Sequence, residues 1–247
     1  MNELTILARS TARRLGVIHL IRHARHFFNR ASADYEASFC KEFINSILPG
    51  DVVWDVGANV GYYTEMLAER LINEGKVIAF EPAPQSFAKL SEKLSQRKNV
   101  VLEASALGDS AGRMKFLLEQ DGTSPTQRIV DPSVIIASGI KSGRLIEVPV
   151  TTGKSYVAVS GHVPNVIKID VEGFEEEVLK GLDDLLASPC LRTLFIEVHF
   201  KLLEERGRAM APIRIERSLR STGFRTRWID ASHLRADRVI VPTMGPP

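Results

Sequence analysis

From Pro49 onward, short apolar runs alternate with stretches whose apolar residues recur every three or four positions. Val52-Val53-Trp54-Asp55-Val56 is a strand-sized run, entered through the turn signal Pro49-Gly50-Asp51. A glycine-bearing loop follows, and then Tyr63, Met66, Leu67 and Leu71 predict a helix over Tyr62–Asn73, with Gly75 as its C′ residue. Lys76–Phe80 is a second buried strand, Phe87, Leu90 and Leu94 mark the next helix, and Val100–Glu103 is a third strand. The period then lapses: Gly112–Leu118 and Leu145–Val150 read as strands around a loop with no helical period between Glu119 and Arg144. A loop of that length inside a compact domain is expected to be disordered or functional. The pattern resumes with the strand Val166–Val171, a helix striped by Phe174, Val178, Leu179, Leu182 and Leu186, and the strand Thr193–Val198. A helix near Ile213–Ser221 and strands near Phe224–Ile229 and Arg238–Val241 complete the chain. Alternating strands and amphipathic helices predict an α/β fold: repeated βαβ units in a mostly parallel sheet with helices on both faces.

Composition narrows the class without selecting a function. In 247 residues, 44% apolar and 25% charged positions describe a globular chain with a real core, not a disordered or collagenous one. No apolar run is long enough to span a bilayer, and no signal-peptide h-region is visible. The two cysteines, Cys40 and Cys190, share no CxxC spacing, so both are expected as small core hydrophobes in a reduced, cytoplasmic setting. The net charge of +2 is a sum of unlike parts. Residues 1–30 hold six arginines against one acid, Glu3, and seven more arginines lie between Glu204 and Asp230. With Leu4, Leu7, Leu15, Ile18 and Ile21, residues 1–45 are expected to be a basic helical segment preceding a catalytic domain over 46–247. The simpler reading of that segment is a solvated face beside the domain; peripheral contact with an anionic membrane is the alternative. His19, His23 and His26 share a helical face among arginines and need no metal, and Glu175-Glu176-Glu177 is expected as a solvated first helical turn.

The densest local signal is Asp55-Val56-Gly57-Ala58-Asn59-Val60-Gly61, set between a strand and a helix. Its glycines allow a tight turn and close approach of a ligand, and the helix N-terminus offers free N–H groups to an anion. Glu81 ends the next strand, where an acid accepts hydrogen bonds from ribose hydroxyls. The loop is G-x-x-x-G, not the dinucleotide pattern G-x-G-x-x-G. A carboxylate at Asp55 would repel a pyrophosphate and attract an amino-acid ammonium. That points to S-adenosylmethionine in preference to NAD as the cofactor.

With these motifs in view, the chain resembles the FkbM family of S-adenosylmethionine-dependent methyltransferases. The resemblance rests on Asp55–Thr64, Phe80-Glu81-Pro82, Ala106-Leu107-Gly108-Asp109 and Val148-Pro149-Val150-Thr151-Thr152. It rests above all on Lys168-Ile169-Asp170-Val171-Glu172-Gly173-Phe174-Glu175, and Ile196-Glu197-Val198-His199 completes it. It implies a class I methyltransferase (Rossmann-like) seven-stranded sheet. Asp55, Gly57, Ala58, Asn59, Gly61 and Asp170 would then hold the methionine end of the cofactor, Glu81 the ribose, and Ser105 and Ala106 would border the adenine. Family members often continue Thr-Thr with Leu-Asp; here Thr152 is followed by Gly153-Lys154, which removes the usual signal for a helix start.

Methyl transfer to a hydroxyl needs alignment and a base. Alternation along a strand places Asp170 with Glu172, and Glu197 with His199, on common faces at two strand ends, with Lys168 in phase. His199 is the first choice as general base and Asp170 the second. Glu172 and Glu197 would support them, and Lys168 would offset their charge or bind an acidic group of the substrate. Asp170, Glu197 and His199 leave a divalent metal open, but no short ligand spacing supports one, and no metal is expected. The expected activity is O-methylation of a small molecule, sugar or glycan. Nucleic acid is not expected as a partner, although an alternative nucleic-acid methyltransferase would explain the arginines, and a non-catalytic cofactor-binding protein would lack the base. Nothing in the pattern reports an oligomeric state.

Overall fold

The computed structural model describes residues 38–71, 75–118, 127–129 and 144–239. A helix over residues 38–45 (α1) precedes β1 (Val52–Val56), α2 (Tyr62–Arg70), β2 (Lys76–Phe80), α3 (Pro84–Leu94) and β3 (Val100–Glu103). Then come β4 (Ala106–Leu107), β5 (Gly112–Leu118), β6 (Gln127–Ile129), β7 (Arg144–Thr151) and α4 (Gly153–Ser160). The chain continues through β8 (Val166–Ile169), α5 (Glu175–Leu182), β9 (Thr193–Glu197) and α6 (Phe200–Glu205). It ends with α7 (Ala211–Ser221), β10 (Phe224–Trp228) and β11 (His233–Arg238).

Seven strands form the main sheet in the order β3-β2-β1-β8-β9-β11-β10. β11 runs antiparallel to both neighbours, and the other pairings are parallel. This is the seven-stranded sheet implied by the resemblance. Both faces are covered, which is why its central strands are nearly continuous apolar runs. Trp54, Val56, Ile167, Ile169 and Ile196 face a core completed by Val178, Leu182 and Leu219. Val53, Val77, Val166 and Phe195 face the other way, onto Leu67, Leu71 and the α1 side chains Phe39 and Phe43. Residues 38–45, placed by pattern in a leading segment, therefore pack into the core of the domain itself. The rest of that basic segment, with its histidines and its membrane question, lies outside the described residues.

A second sheet, β4-β7-β5-β6, is built from the stretch between β3 and α4. It contains both strands expected there and adds β6, which is too short to show a period. The chain moves outward from β1 to β2 and β3, then crosses back to β8. The carboxyl ends of β1 and β8 thus straddle the switch point where α/β sheets open a crevice for ligands.

Several expectations are corrected. α2 stops at Arg70 with Leu71 as its cap, so Gly75 is not its C′ residue. α4 forms without the Leu-Asp signal because the Thr152 hydroxyl accepts a hydrogen bond from the Ser155 N–H, and Gly161, left-handed at φ +72°, closes it. α6 was absent from the periodicity, being only six residues long. The final strand is His233–Arg238, not Arg238–Val241, because it pairs in register with β9 from His233↔Glu197 to Asp237↔Thr193. Cys190 is exposed and Cys40 half-buried, so neither thiol is a fully buried core residue. Among the described residues, no helix is long and apolar enough to cross a membrane.

Candidate active site

A cleft of about 630 Å³, including its open mouth, lies at the carboxyl ends of β1, β2 and β8. Val56 ends β1 and Gly57 and Asn59 come from the loop after it, Glu81 and Pro82 from the turn after β2, and Ser86 from the first turn of α3. Ala106, Leu107 and Phe116 form an apolar wall, and Asp170, Val171 and Glu172 close the far side.

The loop after β1 is held from beneath. Gly57, left-handed at φ +82°, sits so close to β8 that a Cβ there would lie 1.8 Å from the Asp170 carbonyl oxygen. Only glycine allows that approach, and the approach brings Asp170 to the cleft. Gly57 and Ala58 both donate backbone N–H bonds to the Phe80 carbonyl, and no side chain caps the start of α2. The Glu81 carboxylate accepts N–H bonds from Asn59 and Ala83, each at 2.8 Å, and the Ser86 hydroxyl donates to the Asn59 side-chain oxygen. Burial pushes the Glu81 carboxyl up to about 7, against the two N–H bonds that favour its charge.

Asp55 does not face the cleft. It is fully buried, with Lys168 Nζ at 3.1 Å from one oxygen and the Thr64 hydroxyl at 2.7 Å from the other. The cation it attracts is this chain's own ammonium. Lys168 is buried as well, 3.4 Å from Asp170 and in contact with the Gly57 carbonyl, which leaves it no freedom to bind an acidic substrate. Burial works against its charge, but Asp55 and Asp170 outweigh it and hold the lysine above its usual range.

The four groups named at the ends of the two strands do meet. His199 Nε2 lies 3.4 Å from Glu172, 3.7 Å from Asp170 and 3.9 Å from Glu197. Its Nδ1 is 2.7 Å from Glu175, which is buried and therefore not the solvated helix residue expected. Burial disfavours the charged ring, yet Glu175, Glu172 and Asp170 overcome it and raise the imidazole to about 10. At neutral pH the free site then presents an imidazolium without a lone pair to accept a proton. Burial raises Asp170 and Glu172, with neighbouring carboxylates adding to it. Glu197 is lowered despite its burial, because His233 donates to it.

Pattern reading missed several lining residues. Pro82 follows Glu81 directly, Ser86 lies five residues past it in the first turn of α3, and Phe116 alternates with the exposed Arg113 and Lys115 along β5, a period that marks an inward face. Ala106 borders the cleft as placed by the resemblance, but Ser105 is not among its lining residues. Tyr62 is exposed, while Tyr63 packs on Phe39 and Phe43. Glu176 and Glu177, also expected in solvent, are buried against Arg206, Arg208 and Arg214. That network, with Arg227 and Arg235 on Glu42, engages much of the arginine-rich final third within the fold.

Residues 55–226 match the family described as the methyltransferase FkbM domain. The chain is 31% identical over 152 residues to the hexuronic acid methyltransferase AglP of Haloferax volcanii, covering 60% of this chain and 56% of that protein. It is 33% identical over 175 residues to the 31-O-demethyl-FK506 methyltransferase FkbM of Streptomyces tacrolimicus, covering 61% of this chain and 66% of that one. The matches thus span between about half and two thirds of the length of these curated relatives. A solved structure, the methyltransferase FkbM of Methylobacillus flagellatus KT, is similar with a TM-score of 0.49 and 15% identity, covering 76% of this chain and 43% of that chain.

Proposed function

Since the chain belongs to the FkbM family of S-adenosylmethionine-dependent methyltransferases, we propose that it methylates a hydroxyl oxygen of a sugar or other small molecule. One observation carries this reading: a single cleft runs from the Gly57–Asn59 loop and Glu81 directly to Asp170 and Glu172. Cofactor residues and acid–base residues share one cavity, as in-line transfer between two bound molecules requires.

The residues present fit the cofactor. The uncapped start of α2 leaves N–H groups for a carboxylate, and Glu81 offers carboxylate oxygens to a ribose diol at the cleft wall. Ala106, Leu107 and Phe116 supply apolar lining for an adenine. When bound, S-adenosylmethionine supplies the methyl group: its bond to sulfur breaks as the bond to the acceptor oxygen forms, and S-adenosylhomocysteine is left.

The chain's own residues prepare the acceptor. Asp170 borders the cleft and is anchored by Lys168 on one side and faces His199 on the other. It is the group best placed to take the hydroxyl proton, with Glu172 beside it to orient the acceptor. His199, fixed through Nδ1 by Glu175, holds the carboxylates in place and is a positioning residue in this reading. AglP is named for a hexuronic acid and FkbM for 31-O-demethyl-FK506, and the O-demethyl position in the second name supports an oxygen in place of a nucleic-acid base.

The test is a panel of uronic acids, neutral sugars and hydroxylated macrolides incubated with labelled S-adenosylmethionine, read by mass spectrometry. Label in an O-methyl product, lost at least 100-fold in Asp170→Asn, is the expected result. Label on nitrogen or carbon, or full turnover in Asp170→Asn, refutes the assignment.

A further inference from the structure

We propose that Asp170, Glu172 and His199 form a binding site for a first-row divalent cation at the acceptor end of the cleft. Its role in catalysis rests on the methyl-transfer reading above; its existence does not. Each of the three residues offers one ligand atom, and the three atoms lie within 4.8 Å of one another. Glu197 stands just behind them, 3.9 Å from the same ring nitrogen.

The distances are those of ligands around a shared centre. A charge-assisted hydrogen bond from an imidazole to a carboxylate measures about 2.7–2.9 Å. His199 Nε2 instead stands 3.4, 3.7 and 3.9 Å from Glu172, Asp170 and Glu197. It stands beyond that range from all three, and the ring's hydrogen bond goes through Nδ1 to Glu175 instead. Donor atoms roughly 2.0–2.2 Å from a common ion lie about 3–3.6 Å apart, so small side-chain rotations would close this set on a cation.

A second observation is independent of those spacings. Behind the ring, Glu175 is fully buried, its Oε1 2.7 Å from His199 Nδ1, and its Oε2 makes no hydrogen bond. A buried carboxylate on the far nitrogen fixes the tautomer and aims the near nitrogen outward, the arrangement that supports metal-bound histidines. A cation in place of the Nε2 proton would satisfy the ring and three crowded carboxylates at once. One imidazole with two or three carboxylates suits manganese, iron(II) or zinc; it lacks the thiolates that select copper(I). Because Asp170 and Glu172 line the cleft, the remaining coordination positions open toward the acceptor. There a coordinated hydroxyl would give up its proton more readily to the Asp170 oxygen left free of the ion.

The test uses the full chain and Mn²⁺ alone, with no cofactor, read by electron paramagnetic resonance. We expect one bound equivalent and a spin-echo modulation from an imidazole nitrogen. His199→Gln and Asp170→Asn should weaken binding at least 100-fold, and Glu175→Gln roughly 10–100-fold. The exposed Asp184→Asn should change nothing, and circular dichroism checks that each variant is folded. No binding to wild type at about 1 mM Mn²⁺, equal binding by the folded variants, or bound Mn²⁺ without nitrogen coupling would each overturn the site. S-adenosylhomocysteine is titrated into the same samples by calorimetry. Homocysteine-nucleoside binding without Mn²⁺ binding removes the cation site alone. Mn²⁺ binding without it removes the proposed function and leaves the site standing.

Discussion

Lys168 and Asp55 are register partners on adjacent strands, β8 and β1, and their charges meet at 3.1 Å inside the sheet. Both are almost completely buried, and Lys168 reaches on to Asp170 at the cleft. The pair ties the floor of the cofactor loop to the residue nearest the chemistry. Removing one partner strands a buried charge at a cost of about 3–5 kcal/mol. Asp55→Asn should therefore lower unfolding stability in guanidinium by that amount and weaken S-adenosylhomocysteine binding as well. In a double-mutant cycle with Lys168→Met, the double variant should recover part of the loss. Additive effects would show that the two residues act separately.

Glu81 sets a pH dependence on cofactor binding. Its carboxyl, raised by burial to about 7, must ionise to accept from both ribose hydroxyls. Affinity for S-adenosylhomocysteine should rise from pH 6 to pH 8, with proton release detectable by calorimetry in two buffers of different ionisation enthalpy. The linkage to folding has the opposite sign. An acid raised in the folded state binds protons more tightly there, so its contribution to stability declines as pH rises from about 4.5 through 7. Glu81→Gln should flatten the binding profile, and a flat profile in wild type would contradict the assignment.

Glu176 governs acid stability. Arg214 and Arg208 donate to its carboxylate and, with burial opposing them, hold it down to about 2. A lowered acid stabilises the fold above its unfolded value near 4.5 and loses that contribution as pH falls through about 2. Glu176→Gln should cost about 1–3 kcal/mol at pH 7, seen as a lower melting temperature. The gap to wild type should close toward pH 2. A gap that persists there would mean the loss is one of packing.

Gly57 and Gly161 separate backbone conformation from close approach. Both are left-handed, at φ +82° and +72°, but a Cβ on Gly161 meets open space whereas one on Gly57 meets the Asp170 carbonyl. Gly161→Ala should cost only the conformational term, about 1–2 kcal/mol. Gly57→Ala should cost clearly more in chemical denaturation and abolish cofactor binding, because the loop must leave β8. Similar losses in the two variants would remove the close-approach account.

Much of the architecture was readable along the chain because its signals are local. The short apolar runs at Val52–Val56, Val166–Ile169 and Thr193–Glu197 and the stripe of α3 appear nearly where the pattern places them. Asp170, Glu172, Glu197 and His199 do converge, but not by alternation: β8 ends at Ile169 and β9 at Glu197, and Glu172, left-handed at φ +51°, is turned toward His199 by the loop after its strand. Short or cross-strand features were not legible. β6 is too brief for a period, α4 depends on one threonine hydroxyl, and β11 is set by its register with β9.

Sequence alone established the α/β class, the order of the motifs and the identity of the acidic and basic groups, since covalent spacing and side-chain periodicity determine which residues can share a face. Tertiary structure decided what each charge does. Asp55 became the partner of Lys168 because their strands are neighbours, and Glu175 turned from a surface acid into the carboxylate behind His199. Those roles depend on burial and on contacts across 24 to 113 residues of chain, distances at which electrostatics is set by the fold and not by spacing.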